Sequence, residues 1–206
     1  MRELTEQEQF WQGDFGDRYV ERNQGQALIS ANIALFAKAL GRVQGLTSLL
    51  ELGTNAGNNL LALSRLLPGC ELNGVEINAK AHAQVQSLGI AEVWHGSLFD
   101  FPRRRSYDLT FSKGVLIHLA PEWLNQAYDQ LYHLSSRYVL LAEYYNPAPV
   151  QVSYRGNGGK LFKRDFAGEM LDRFTDLKLL DYGFVYRRDP QFPADDITWF
   201  LLEKRP

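Results

Sequence analysis

Apolar and polar positions follow two different periods along this chain, and the change of period divides it. Between residues 6 and 23, Phe10, Trp11, Phe15 and Tyr19 recur near helical spacing among acids, which predicts one or two amphipathic helices. Residues 26–40 repeat the signal with Leu28, Ile29, Ile33, Leu35, Phe36 and Leu40 on one side, and Gly41 stops it. From residue 48 onward, short apolar runs suited to strands take turns with amphipathic stretches. The pattern predicts a strand at 48–52, a helix at 58–67 ended by Pro68-Gly69, a strand at 71–77, and a short helix capped by Asn78 and closed by Gly89. Strands follow at 91–94, 107–111 and 138–144, the last after a helix that begins beyond Pro121. Such alternation marks a parallel sheet with crossover helices. A helix at 166–174 and apolar runs at 177–186 and 197–202 then read as a terminal antiparallel pair.

Residues 145–165 break the pattern with Pro147, Pro149, Gly156, Gly158 and Gly159, and are expected to form a loop too long for a simple connector, hence a candidate substrate lid. No repeat, low-complexity tract or linker interrupts the chain. The expectation is one α/β domain over 1–206, a three-layer Rossmann-like sandwich with an N-terminal helical cap over 1–41.

Composition narrows the function. A net charge of −2 supplies no basic stripe, so nucleic acid is not an expected partner. Cys70 is the only cysteine, which excludes an intrachain disulfide and a thiolate zinc site and suits a reducing cytoplasm. The histidines His82, His95, His118 and His133 lack ligand spacing, so no metal is expected. The first residues are charged, and no stretch has the length needed to cross a bilayer, so no membrane partner is expected. Nothing in the sequence specifies an oligomeric state.

The chemistry concentrates at residues 49–59, Leu-Leu-Glu-Leu-Gly-Thr-Asn-Ala-Gly-Asn-Asn, an apolar strand that turns at Gly53 and Gly57 into a Leu-rich helix. Gly53 permits a sharp turn, and Gly57 is expected to let backbone approach a ligand. Glu76, at the end of the next strand and 23 residues beyond Gly53, is placed to accept both hydroxyls of a ribose. A dinucleotide fingerprint needs glycine where Asn55 and Asn58 stand, so pyrophosphate is poorly served. Glu51 at the strand tip repels phosphate but suits the ammonium of an amino acid. The junction therefore favours S-adenosylmethionine over NAD.

Several stretches carry a narrower likeness. Glu51–Gly57, Glu76, Gly96-Ser97-Leu98 and Tyr107–His118 resemble, in order, the cofactor motifs of class I S-adenosylmethionine-dependent methyltransferases. Phe15–Asn23, Ala142–Pro147, Tyr154-Arg155-Gly156, Gly159–Met170, Asp181–Tyr186 and Asp195–Glu203 resemble the pseudaminic acid biosynthesis-associated methyltransferases. The likeness runs from about Thr5 onward. It implies a seven-stranded, mostly parallel sheet with an antiparallel last strand, helices on both faces and the cofactor across the strand tips. It further implies methyl transfer to oxygen or nitrogen of a small polar acceptor related to a nonulosonic sugar or its nucleotide conjugate. A methyltransferase for another polar metabolite, and a noncatalytic cofactor-binding protein of glycan assembly, remain the alternatives.

Candidate residues follow. For the cofactor they are Glu51, Gly53, Asn55, Gly57, Glu76 with Ile77 beside it, Ser97, and Leu98 and Lys113 through their backbones. Ser97 replaces the acidic residue common at the adenine position of the broader superfamily. Tyr19, Arg22 and Asn23 are expected to close over the methionine end, Arg22 pairing its carboxylate. His118, after the fourth strand, is the first candidate for a base, and Glu143 with Tyr144 at the end of the fifth strand is the second. For the acceptor, Tyr145, Asn146, Tyr154, Arg155 and Lys160 are the candidates, the cations as a clamp for an anionic group. Phe10, Trp11 and Phe15 read as packing residues.

Overall fold

A computed structural model describes residues 2–22 and 25–205. The helical N-terminal region is two short helices, α1 (Glu6–Gln12) and α2 (Asp14–Arg22), followed by α3 (Gln26–Ala39). Local chemistry starts α1 sharply: Thr5 Oγ1 accepts from the Glu8 amide at 3.1 Å, and Glu8 Oε2 accepts from the Thr5 amide at 2.7 Å.

The alternating region runs β1 (Ser48–Leu52), α4 (Asn58–Leu66), β2 (Glu71–Glu76), α5 (Ala79–Ser87), β3 (Glu92–His95) and β4 (Tyr107–Lys113). Two 3₁₀ turns, Leu116–His118 and Pro121–Trp123, lead into α6 (Leu124–Leu134) and β5 (Ser135–Glu143). Residues 145–165, expected as a loop, instead fold into an antiparallel hairpin, β6 (Val150–Tyr154) and β7 (Asn157–Lys163). Arg155, at φ 51, and Gly156, at φ 83, make its turn, while Gly158 and Gly159, read as loop markers, lie within β7. The chain closes with α7 (Phe166–Arg173), β8 (Leu177–Val185) and β9 (Ile197–Lys204).

Seven strands form one sheet in the order β3-β2-β1-β4-β5-β9-β8. The first five are mutually parallel, and β9 runs antiparallel to both neighbours, as expected. Alternation along each strand fills two cores: Leu50, Leu52 and Val139 face α6 and α7, while Leu49, Leu109, Phe111 and Leu140 join residues of α3, α4 and α5. Strand order reverses between β1 and β4, which places a crevice over their carboxyl ends.

Candidate functional site

A cavity of about 220 Å³ occupies that crevice. Its floor is the β1–α4 turn. Gly53 takes φ 82, and a Cβ there would lie 2.6 Å from Val115 Cγ2. Asn55 also takes a left-handed φ, 47, a region asparagine tolerates better than most residues, and its Oδ1 accepts from the Ala56 amide at 2.6 Å. That explains how asparagine stands where a dinucleotide fingerprint has glycine. Gly57 has a different duty from the one expected. It begins α4 at φ 81 and packs against α5, where a Cβ would come within 2.4 Å of Val85 Cγ2; it is absent from the cavity wall.

Glu76 and Ile77 line the middle of the floor. One Glu76 oxygen accepts from the Asn55 amide at 2.6 Å and the other from the Asn78 amide at 2.7 Å. The Ile77 amide bonds the carboxylate as well, and the acceptor capacity these amides leave is what a ribose hydroxyl would use. Burial pushes the carboxyl up, and these amides oppose the shift.

Ser97 and Leu98 line one pole. A carboxylate stands beside Ser97 in space, that of Glu8 of α1, a residue sequence reasoning passed over. Ser97 Oγ donates to Glu8 Oε1, and Arg2 bonds both Glu8 oxygens, at 2.7 and 2.6 Å. Burial raises the Glu8 pKa, but the bonds from Arg2, Ser97 and Thr5 outweigh it and leave the group below its ordinary value.

Tyr19, Asn32, Asn59, Lys113 and Asp195 line the other pole. Glu51 lies fully buried beneath it: Oε1 accepts from Asn59 Nδ2 at 2.6 Å, and Oε2 has no partner among the described residues. Burial raises its pKa to about 8, Asn59 and Lys113 opposing and Glu76 adding to the rise. Asn32 Oδ1 is also buried without a partner. Lys113 lines this pole; burial lowers its pKa, and the charges of Glu51, Asp195 and Glu143 oppose the shift. Arg22 is elsewhere, exposed on α2 with its guanidinium 5.8 Å from the Phe15 ring, so it does not serve the cavity in this arrangement. Asn23 lies outside the described residues.

His118 faces the cavity between Trp11, at 4.6 Å, and Tyr154, at 4.8 Å between ring centroids. Its Nδ1 lies 2.6 Å from the Lys160 carbonyl. A carbonyl only accepts, so Nδ1 carries the proton and Nε2 keeps its lone pair. Burial lowers the ring's pKa to about 4, so it is neutral near pH 7. Trp11, expected only to pack, is therefore part of the cavity wall.

The second base candidate is engaged elsewhere. Glu143 Oε1 accepts from Ser112 Oγ at 2.6 Å and from the amides of Val115 and Leu116 at 3.1 and 3.2 Å. It thus tethers the 3₁₀ turn that carries His118, buried and away from the cavity wall. Tyr144 donates to Asp195 Oδ2 at 2.9 Å and reaches the site only through that carboxylate. Of the acceptor candidates, Tyr154 packs on His118, whereas Tyr145 is exposed against Phe200 and Asn146 donates to the Ala148 carbonyl. Arg155 sits at the exposed hairpin turn, and Lys160 is buried with its ammonium on Glu6 Oε1 at 2.6 Å, which removes it from an anion clamp. No cluster of metal-ligating side chains occurs among the described residues.

No family model matches the chain, and no curated protein matches it. Solved structures do. Magnesium protoporphyrin IX methyltransferase (ChlM) from Synechocystis PCC 6803, with bound SAM, superposes with a TM-score of 0.70 at 14% identity, over 100% of both chains. The 1,6-didemethyltoxoflavin-N1-methyltransferase of Burkholderia thailandensis, with bound 1,6-didemethyltoxoflavin and S-adenosylhomocysteine, gives 0.70 at 13% identity, over 100% of this chain and 93% of that one. The plantazolicin methyltransferase BpumL in complex with SAH gives 0.66 at 15% identity, over 97% and 94%. The fold of this chain is the Rossmann-like fold of these methyltransferases.

Proposed function

We propose that the protein transfers a methyl group from S-adenosylmethionine to oxygen or nitrogen of a small acceptor. One observation carries the reading: along one cavity, a buried carboxylate (Glu76) stands between a Ser97–Glu8 pole and a pole with a lysine and the unpaired Oδ1 of Asn32, with the unpaired Oε2 of Glu51 buried behind the wall. That order of groups matches ribose between adenine and a zwitterionic amino acid. Glu51 Oε2 and Asn32 Oδ1 suit the ammonium, and Lys113, rather than Arg22, suits the carboxylate. The solved relatives of the same fold that were crystallised with SAM or SAH support the same cofactor.

When bound, the sulfonium supplies an electrophilic methyl group. The chain's own work is orientation and proton removal. Trp11, Tyr19 and Val115 confine the acceptor beside the floor. His118 Nε2 accepts the proton that an acceptor hydroxyl or protonated amine gives up, while Nδ1–H stays on the Lys160 carbonyl.

For the acceptor, the motifs at 142–170 and 181–203 support a nonulosonic sugar or its nucleotide conjugate. A second reading, a flat heteroaromatic acceptor, is favoured by the Trp11–His118–Tyr154 wall and by commitment of Lys160 to Glu6. S-adenosylhomocysteine is expected to raise the melting temperature and NADH to leave it unchanged; the reverse would reject the cofactor. Labelled methyl donor offered with nucleotide-activated nonulosonic acids, and separately with a cell extract, then locates the acceptor by mass spectrometry. Label found only on another metabolite rejects the sugar.

A further inference from the structure

The ammonium of Lys160 and the carbonyl of the same residue point to opposite partners. Nζ meets Glu6 on α1 at 2.6 Å and lies 5.1 Å from the Phe10 ring, while the carbonyl holds His118 Nδ1 at 2.6 Å. A second tie joins the same elements, since Gln7 Nε2 donates to the Gly159 carbonyl at 3.3 Å. The hairpin is otherwise a separate two-stranded sheet, with exposed side chains along most of β6. Leu161 of β7 is buried with Leu116 and Ile117 of the histidine's turn, and the contacts to α1 are what add a polar tie on the side of the Lys160 carbonyl.

We propose that Glu6 and Lys160 form a clamp that positions His118. Docking of α1 on β7 sets the Lys160 carbonyl against Nδ1, which fixes the tautomer and leaves Nε2 unprotonated toward the cavity. Lys160 is a positioning residue, acting through its backbone, and Glu6 acts through Lys160. On the opposite edge of α1, Glu8 meets Ser97. One helix thus spans the adenine-side pole and the histidine, so the base is assembled only when α1 lies down over the site. The proposal rests on the reading of His118 as the base.

Nitrogen-15 NMR of His118 tests the clamp with neither cofactor nor acceptor, so its failure is distinct from failure of the methyl-transfer reading. In the unaltered protein Nδ1 should carry the proton, and the ring should titrate near 4. Burial and the Lys160 carbonyl govern that titration, and Trp11 and Tyr154 are the rings packed on it. Glu6→Ala and Lys160→Met should each populate the Nε2–H tautomer and, with the Lys160 bond that holds the ring's pKa up lost, move the titration below that of the unaltered protein. Glu3→Ala, at an acid with no ion pair to the hairpin among the described residues, should change neither. The Glu6 side chain is 80% exposed, so Glu6→Ala folds and decides the matter even if Lys160→Met does not. An unchanged tautomer and titration in Glu6→Ala, or an equal shift in Glu3→Ala, overturns the clamp.

Discussion

The floor and the roof of the cavity are held by different means. On the floor, the amides of Gly53 and Thr54 bond the Val75 carbonyl at 2.9 and 3.1 Å, and Asn55 bonds Glu76, so adjacent parallel strands fix the turn as soon as they pair. The roof joins segments far apart in the chain through side chains: Glu6 with Lys160, Glu8 with Ser97, His118 with the Lys160 carbonyl. A floor of backbone bonds persists whenever the sheet exists. A roof of a few polar contacts opens at much lower free energy, as parts that admit ligands must.

The largest effect should come from the roof. His118→Ala is expected to lower turnover on the labelled acceptor by about 10² to 10⁴-fold, roughly 3 to 5 kcal/mol in the barrier, with S-adenosylhomocysteine affinity unchanged. Full activity in this variant would reduce His118 to a packing residue. On the floor the expected damage is to structure. Gly53→Ala meets both a φ of 82 and the Val115 methyl, and should cost about 2 to 4 kcal/mol in urea unfolding, with loss of the S-adenosylhomocysteine-induced rise in melting temperature. Glu143→Gln should cost about 1 to 3 kcal/mol, since a carboxamide cannot satisfy Ser112 and the amides of Val115 and Leu116 as the carboxylate does. Native stability with lost turnover in Glu143→Gln would return that residue to the chemistry.

A pH experiment sharpens the contrast at Glu51. Burial holds its folded pKa at about 8, above an unfolded value near 4.3, so the folded protein keeps a proton that the unfolded chain has lost. The stability this confers is complete below about pH 4.3 and is lost as pH rises to about 8, at up to about 1.4 kcal/mol per pH unit. Urea unfolding from pH 5 to 8 should show that slope, flattened in Glu51→Gln. An ammonium at Oε2 favours the ionised form, so S-adenosylhomocysteine binding near pH 7 should release up to about one proton. Calorimetry in two buffers of different ionisation enthalpy measures it, and no difference between them would remove Glu51 from the ammonium site.

The floor was legible because its chemistry follows sequence order: a strand, a turn with left-handed positions, a second strand ending in an acid. Gly53, Asn55, Glu76, Ile77, Ser97, Leu98 and Lys113 fall on one cavity wall for that reason. Gly57 was legible as a glycine but not in its task, which depends on α5 packing against α4. Glu8 was harder. Thr5 and Glu8 announce a helix start, but the second use of that carboxylate, at Ser97, exists only once α1 crosses the sheet edge. Asp195 enters from the β8–β9 connection, which no local pattern ties to the cavity. In residues 145–165 the alternation Val150, Val152, Tyr154 was the strand signal, outweighed by prolines and glycines.

The smallest expected effect decides which cation serves the amino-acid pole. Arg22 has the more obvious chemistry, a guanidinium on a helix expected to close over the site, but it is exposed and lies on Phe15. Lys113 ends β4 at the cavity, where the charges that act on it are acids. A carboxylate delivered there gains a strong partner, whereas one reaching Arg22 gains a solvated pair worth little. Lys113→Met should weaken S-adenosylhomocysteine about tenfold or more and leave 5′-methylthioadenosine, which lacks the amino-acid group, unchanged. Arg22→Ala should alter either affinity by less than about 0.5 kcal/mol. Equal loss of both ligands in Lys113→Met would mean that the lysine shapes the floor without touching the carboxylate. A selective loss in Arg22→Ala would mean that α2 moves inward on binding, and that the roof extends farther than its contacts in this structure.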